Sequence, residues 1–161
     1  MVSIKWCLNK KNGLELVQPN PNLCQSYLSM GEESLKVMEK VQESQIWTAT
    51  TTYYIFYYSL YAVMMHLGVK CEIHSCALEF MKHFLNQFYS PEDFQMIQAA
   101  FLARNDLQYY ANRPVNARMV EENKRYCRDF YIKSKDIISR ITEVQIEGIR
   151  KGLRLKISRN S

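Results

Sequence analysis

Glycine and proline are scarce, five and four in a chain of 161 residues. With so few turn formers and so many helix formers, the composition favours an all-α fold. There is no phosphate-cradling glycine loop and no dinucleotide-type glycine run, and no nucleophile pattern of Cys, His and Asn. No internal repeat or low-complexity tract is present. Nothing at Met1 reads as a charged-then-apolar leader, so no signal peptide is expected. The five cysteines are an odd number with no regular spacing. Without a secretory leader they read as reduced thiols, and the expected location is cytoplasmic. At 19.1 kDa the chain makes one domain, large enough for a core without staples.

Charge is also missing where it matters most. Residues 44–69, SQIWTATTTYYIFYYSLYAVMMHLGV, are 26 in a row without a charged side chain. Ala49, Tyr53, Phe56, Leu60, Val63 and Leu67 follow one helical seam. Trp47, Thr50, Tyr54, Tyr57, Tyr61 and Met64 follow the adjacent one. A helix apolar on every side is a buried one, and Gly68 suits its left-handed C-terminal cap. The length would also fit a membrane span. Three consecutive Thr, five Tyr, a Ser, a Gln and a His are a poor match to hydrocarbon, where each hydroxyl needs a partner. The run is therefore read as the central helix of a bundle, with no membrane association.

The rest of the chain is arranged around it. Residues 1–21 form an arm expected to lie on the bundle, with Pro19 and Pro21 stopping any helix around Asn20. A first main helix is expected over 22–41, with Gly31 allowing a close approach. A third is expected over 74–88. Ser90-Pro91-Glu92-Asp93 is a strong start for a fourth, running to about 112. Pro114 ends it, Asn116 can cap a fifth, and that last helix is expected to be long, reaching about 150. The result is an antiparallel up-down bundle of about five helices over 22–150, followed by a basic tail over 151–161.

The net charge of +5 is unevenly spread. Through Asn112 there are 8 Lys and Arg against 10 Asp and Glu; from Arg113 onward there are 13 against 6. A basic C-terminal third can contact phosphates, or it can be a solvated face. The helix over 91–112 is the odd one. Its first half, Phe94, Ile97, Ala100, Phe101 and Ala103, reads as core. Arg104 then falls on the same 3-4 row, followed by Asn105, Asp106, Gln108, Tyr109 and Tyr110. An Arg on an inner row needs partners. Either it is ion-paired, with an acid on the first helix or Asp106 of a second subunit, or it faces a ligand such as phosphate.

The order of Tyr53-Tyr54, Gly68, Lys70, His74-Ser75, Phe80 and Arg104-Asn105 with Tyr109 resembles the HEPN family. These are small prokaryotic helical proteins associated with minimal nucleotidyltransferases and toxin–antitoxin systems. The resemblance spans about residues 22–138. It implies a bundle of four to five helices, homodimeric, with the two Arg-bearing helices meeting across a cleft. In the family's active ribonucleases an Arg and a polar residue precede a His. The chemistry is metal-independent: the Arg stabilises charge at the scissile phosphate while the His moves a proton. Here Arg104-Asn105 is present, no His follows on that helix, and Tyr109-Tyr110 stands in its place. An ordinary Tyr, with a pKa of about 10, is roughly 0.1% ionised at neutral pH. In some relatives a Tyr near this motif is adenylylated by the partner nucleotidyltransferase.

The expectation is therefore a HEPN-type protein binding RNA or nucleotide through Arg104, Asn105, Gln108, Tyr109 and Tyr110, with Arg104 and Tyr109 as the catalytic candidates. The alternatives are an active metal-independent endoribonuclease and a non-catalytic dimeric scaffold. No cofactor is expected. A zinc reading of Cys71, His74 and Cys76 has no evident fourth ligand.

Overall fold

The structure, a computed structural model, describes residues 2–110 and 112–159. The outermost expected residues of the arm and tail, Met1, Asn160 and Ser161, lie outside these, as does Ala111 in the fourth expected helix. Among the described residues there are seven helices and one two-stranded sheet: α1 (Ile4–Asn9), β1 (Glu15–Leu16), α2 (Pro21–Lys40), α3 (Gln45–Leu67), β2 (Val69–Lys70), α4 (His74–Phe84), α5 (Pro91–Tyr109), α6 (Ala117–Arg140) and α7 (Glu143–Ser158). The class is all-α. No helix is long and apolar enough to cross a membrane.

The uncharged run becomes α3, and the other helices wrap it. Ser44 caps its start, with the hydroxyl accepting from the Trp47 N–H. Tyr53, Ile55, Phe56, Leu60, Ala62, Val63, Met64 and Leu67 have no exposed surface. α2, α5 and α6 supply the walls. Gly31 lets α2 approach α6: a Cβ there would come 3.1 Å from the Tyr131 ring. Gly68 ends α3 with φ of 70°, in the left-handed region.

Several boundaries differ from expectation, each for a local reason. Asn20 does not merely lie between two chain-stopping prolines. Its side chain accepts from the Leu23 N–H and caps α2, with Pro21 in the first turn, where a missing N–H does no harm. The third main helix stops at Phe84 rather than about residue 88. The single long helix expected from 116 to about 150 is two. α6 ends at Arg140, and Thr142 and Gln145 form a reciprocal capping box that starts α7. Residues 151–158, expected as tail, continue α7, with Leu153 fully buried.

The arm is tied down more firmly than its sequence suggested. β1 pairs antiparallel with β2, Glu15 opposite Lys70 and Leu16 opposite Val69. Cys7 and Cys76 are joined by a disulfide, with Cα atoms 5.5 Å apart. This corrects the reading of five reduced thiols. Only Cys24, Cys71 and Cys127 are free, and all three are buried. The inference from free thiols to a cytoplasmic location loses that premise. Cys76 is also removed as a zinc ligand.

Arg150 was counted in the basic C-terminal segment, but it has a structural place. Its Nη1 donates to the carbonyl oxygens of Val17, Leu67 and Gly68, at 3.0, 2.8 and 2.9 Å. A guanidinium from α7 thus satisfies the end of α3 and the arm together.

Candidate functional site

α5 carries Arg104, and both of its ends are fixed. At the start, Ser90 and Asp93 form a capping box. Asp93 is fully buried and accepts from Lys133 Nζ at 2.7 Å through both oxygens and from the Tyr126 hydroxyl at 2.9 Å. Burial alone would raise the Asp93 pKa. The hydrogen bonds from Lys133, Ser90 and Tyr126 outweigh it and hold the carboxyl below its ordinary value. Toward the other end, the Gln108 amide donates to Thr50 Oγ1 at 3.0 Å and Arg104 Nη2 donates to the Tyr54 hydroxyl at 3.3 Å. The pairs 108 with 50 and 104 with 54 run in opposite directions, so α5 lies antiparallel along α3.

Arg104 is half-buried. Its Nη1 donates to Asn105 Oδ1 at 2.9 Å. Its guanidinium carbon lies 5.2, 5.8 and 6.0 Å from the ring centres of Tyr109, Tyr54 and Tyr53. Nε is buried and has no hydrogen-bond partner among the described residues. No carboxylate among the described residues lies within 4.0 Å of it. No acid of α2 is paired with Arg104 among the described residues, and within the chain Asp106 is bonded to Arg113 at 2.9 Å.

The five binding residues expected from sequence have the following surroundings. Arg104, Asn105 and Tyr109 stand together, with Tyr109 65% exposed. Gln108 is held by Thr50. Tyr110 lies over Arg113, whose guanidinium carbon is 3.7 Å from its ring centre. Three residues outside the expected binding set stand beside Arg104: Tyr53, Tyr54 and His74, which the sequence pattern included without giving them a role at the site. His74, the first residue of α4, comes from outside the motif helix. Its Nδ1 is 2.6 Å from the Tyr53 hydroxyl, and its ring stacks on Tyr57 with centres 4.0 Å apart. Burial, and secondly the positive charge of Arg104, lower the His74 pKa. Burial raises that of Tyr53, which keeps its proton. The sequence placed His74 and Arg104 in order along the chain, and only the packing of α4 and α5 on α3 brings them together.

The arrangement can take an oxyanion. A cation with free N–H donors and no acid is ringed by aromatics and hydroxyls, with a neutral imidazole beside them. The Tyr53–His74 bond has two directions. If Tyr53 donates, Nε2 carries the proton. If Nδ1–H donates, Nε2 has a free lone pair and can act as a base.

The basic C-terminal third is largely self-satisfied. Arg113, Arg118, Arg128, Lys133, Arg140, Arg150 and Arg154 all pair with acids. Comparison with protein-family models, curated proteins and solved structures finds no match.

Proposed function

We propose that this is a HEPN-type protein, toxin–antitoxin-like or associated with a minimal nucleotidyltransferase, that binds the phosphate of RNA or a nucleotide at Arg104. One observation carries the reading: a half-buried guanidinium with a buried, unpartnered Nε and no carboxylate. Such a group is poorly compensated in isolation, and a bound phosphate compensates it. Asn105 orients Nη1, Tyr54 orients Nη2, and Tyr109 covers the outer side. In this reading the protein is a homodimer through the α3 and α5 side, so that two copies of Arg104 share a cleft. The test is nucleotide and RNA affinity in wild type and Arg104→Ala. The expected loss is about tenfold to a hundredfold, the range for charge-assisted hydrogen bonds. Equal affinities would sink the proposal.

A metal-independent endoribonuclease is the second reading, and His74 favours it. The base absent from the motif helix has a substitute beside the Arg, on α4. Arg104 would stabilise charge on the scissile phosphate, and His74 would accept the proton of the attacking 2′-hydroxyl. Cleavage of RNA in excess EDTA that disappears in both Arg104→Ala and His74→Gln supports this reading. Cleavage untouched by His74→Gln removes His74 from it and returns attention to Tyr109. Under a scaffold role, Arg104→Ala should split the dimer while leaving nucleotide affinity as it was.

A further inference from the structure

α4 ends at Phe84, and the chain reaches the Ser90 cap of α5 through a turn over residues 85–89. Between the two helices lies a hollow of about 480 Å³. Pro91, Phe94, Gln95 and Gln98 of α5 form one wall, the stripe that helical spacing puts on one side. Met81 and Lys82 of α4 and Tyr89 of the turn form the other. Among the described residues α3 supplies none of the lining, so the hollow lies apart from the side on which Arg104 meets Tyr54.

The floor is apolar. Met81 and Tyr89 are buried, and the Tyr89 hydroxyl is bonded to Ser134 at 2.8 Å, so the hollow meets the ring rather than the hydroxyl. Phe94 is half-buried. The rim is polar. It carries the exposed amides of Asn86 and Gln95 and the Lys82 ammonium, which lies 5.5 Å from the Phe94 ring centre. The acids nearest along the chain are placed elsewhere. Glu79 is 3.3 Å from His83, and Asp93 is turned to Lys133 and Tyr126 of α6. Glu92 is exposed and forms no part of the wall. Lys82 is the only charged side chain of the lining and is in no ion pair among the described residues.

We propose that this hollow is a binding site for a small carboxylate with an apolar body, such as a medium-chain fatty acid. The apolar body lies on Met81, Tyr89 and Phe94, and Lys82 pairs with the carboxylate at the rim. The volume falls within the range of small-ligand sites, roughly 300–1,000 Å³, and the lining has their composition, apolar with a few polar groups at one edge. Charge decides the class of ligand. A rim cation without a carboxylate of its own attracts an anion and repels a cation. The gain is modest, because Lys82 is exposed and water screens it. This site is independent of what Arg104 binds.

The test is the affinity of wild type, Lys82→Met and Gln95→Trp for decanoate, decanol and butanoate, each below the concentration at which it aggregates. Melting temperatures are measured alongside. Wild type should bind decanoate roughly threefold to tenfold tighter than decanol, which lacks the charge. Butanoate, too short to cover the floor, should bind more weakly than either. Lys82→Met keeps the stem and removes the charge, so decanoate should fall to the level of decanol while decanol stays as it was. Gln95→Trp lays an indole across the mouth and should weaken both long-chain probes. Both substitutions are at exposed positions, and the melting temperature should hold. Should the indole lower it, Asn86→Trp closes the hollow from the opposite edge and is read in the same way. Decanoate bound no tighter than decanol overturns the proposal, and so does decanoate affinity unchanged in Lys82→Met. Decanoate binding untouched by closing the mouth puts the ligand elsewhere and overturns it as well. Wild type that binds neither long-chain probe does the same.

Discussion

His74 shows how one residue's surroundings set both its chemistry and its pH response. Its ring is stacked on Tyr57, bonded to Tyr53 and near Arg104, and burial with that charge lowers its pKa from an ordinary 6.5. As the pH falls, the unfolded chain takes up this proton before the folded one does. The contribution of a neutral His74 to stability is therefore complete above the ordinary value and declines as pH falls toward the folded pKa. Thermal unfolding followed from about pH 8 down to about pH 5 should show this decline in wild type and a flatter curve in His74→Gln. Identical slopes would mean that the imidazole is not held neutral. Arg150 belongs to the same scale. Replacing it with Met removes a donor from the Val17, Leu67 and Gly68 carbonyl oxygens, of which Gly68 keeps the Val17 N–H, and the expected loss is about 2 kcal/mol, read as a lower melting temperature.

At the scale of elements, α5 is positioned by its N-terminal anchor. Asp93 joins the first turn of α5 to Lys133 and Tyr126 of α6, and this sets the line along which Arg104 meets α3. Asp93→Ala removes the buried carboxylate shared by Lys133, Tyr126 and the Ser90 N–H and should destabilise by about 2–3 kcal/mol, whereas Ser90→Ala, which removes only a cap, should cost about 1 kcal/mol. Chemical denaturation of the two variants distinguishes them; equal small effects would show that the ion pair is dispensable. The sign with pH is the ordinary one for a carboxylate. The anchor is intact above the ordinary 3.8 and is lost as pH falls through the lower folded value. The break between α6 and α7 is also an event at this scale. Ile141 continues the apolar row of α6, so periodicity reads straight through it. The backbone instead follows the Thr142–Gln145 cap, which satisfies two N–H groups at the new start, and α7 buries Ile146, Ile149 and Leu153.

For the whole molecule, the Cys7–Cys76 link closes a separation of 69 residues and fastens α1 to the turn of chain that delivers His74. The chain-entropy account puts such a closure at about 4 kcal/mol. Thiol titration of the unfolded, unreduced protein should find three thiols, as the free cysteines Cys24, Cys71 and Cys127 require. Reductant, or Cys7→Ser, should then lower the melting temperature. Five titratable thiols would show that the arm is held by β1 and Arg150 alone.

The sequence by itself determined the all-α class, the central place of the uncharged helix, the caps at Asn116 and Ser90, the glycine end at Gly68 and the anomaly of Arg104. Each of these is written within one helical turn or one run of side-chain periodicity, and local physics decides it. Only the tertiary structure decided what Arg104 faces. The Arg104–Tyr54 and Tyr53–His74 contacts, the Cys7–Cys76 bridge and the Arg150 lock join residues tens of positions apart. They also gave Gln108 a partner in Thr50 and Tyr110 one in Arg113. Contacts of that separation depend on how helices cross. Helix crossing is set by the volumes packed around α3 rather than by any pattern along the chain.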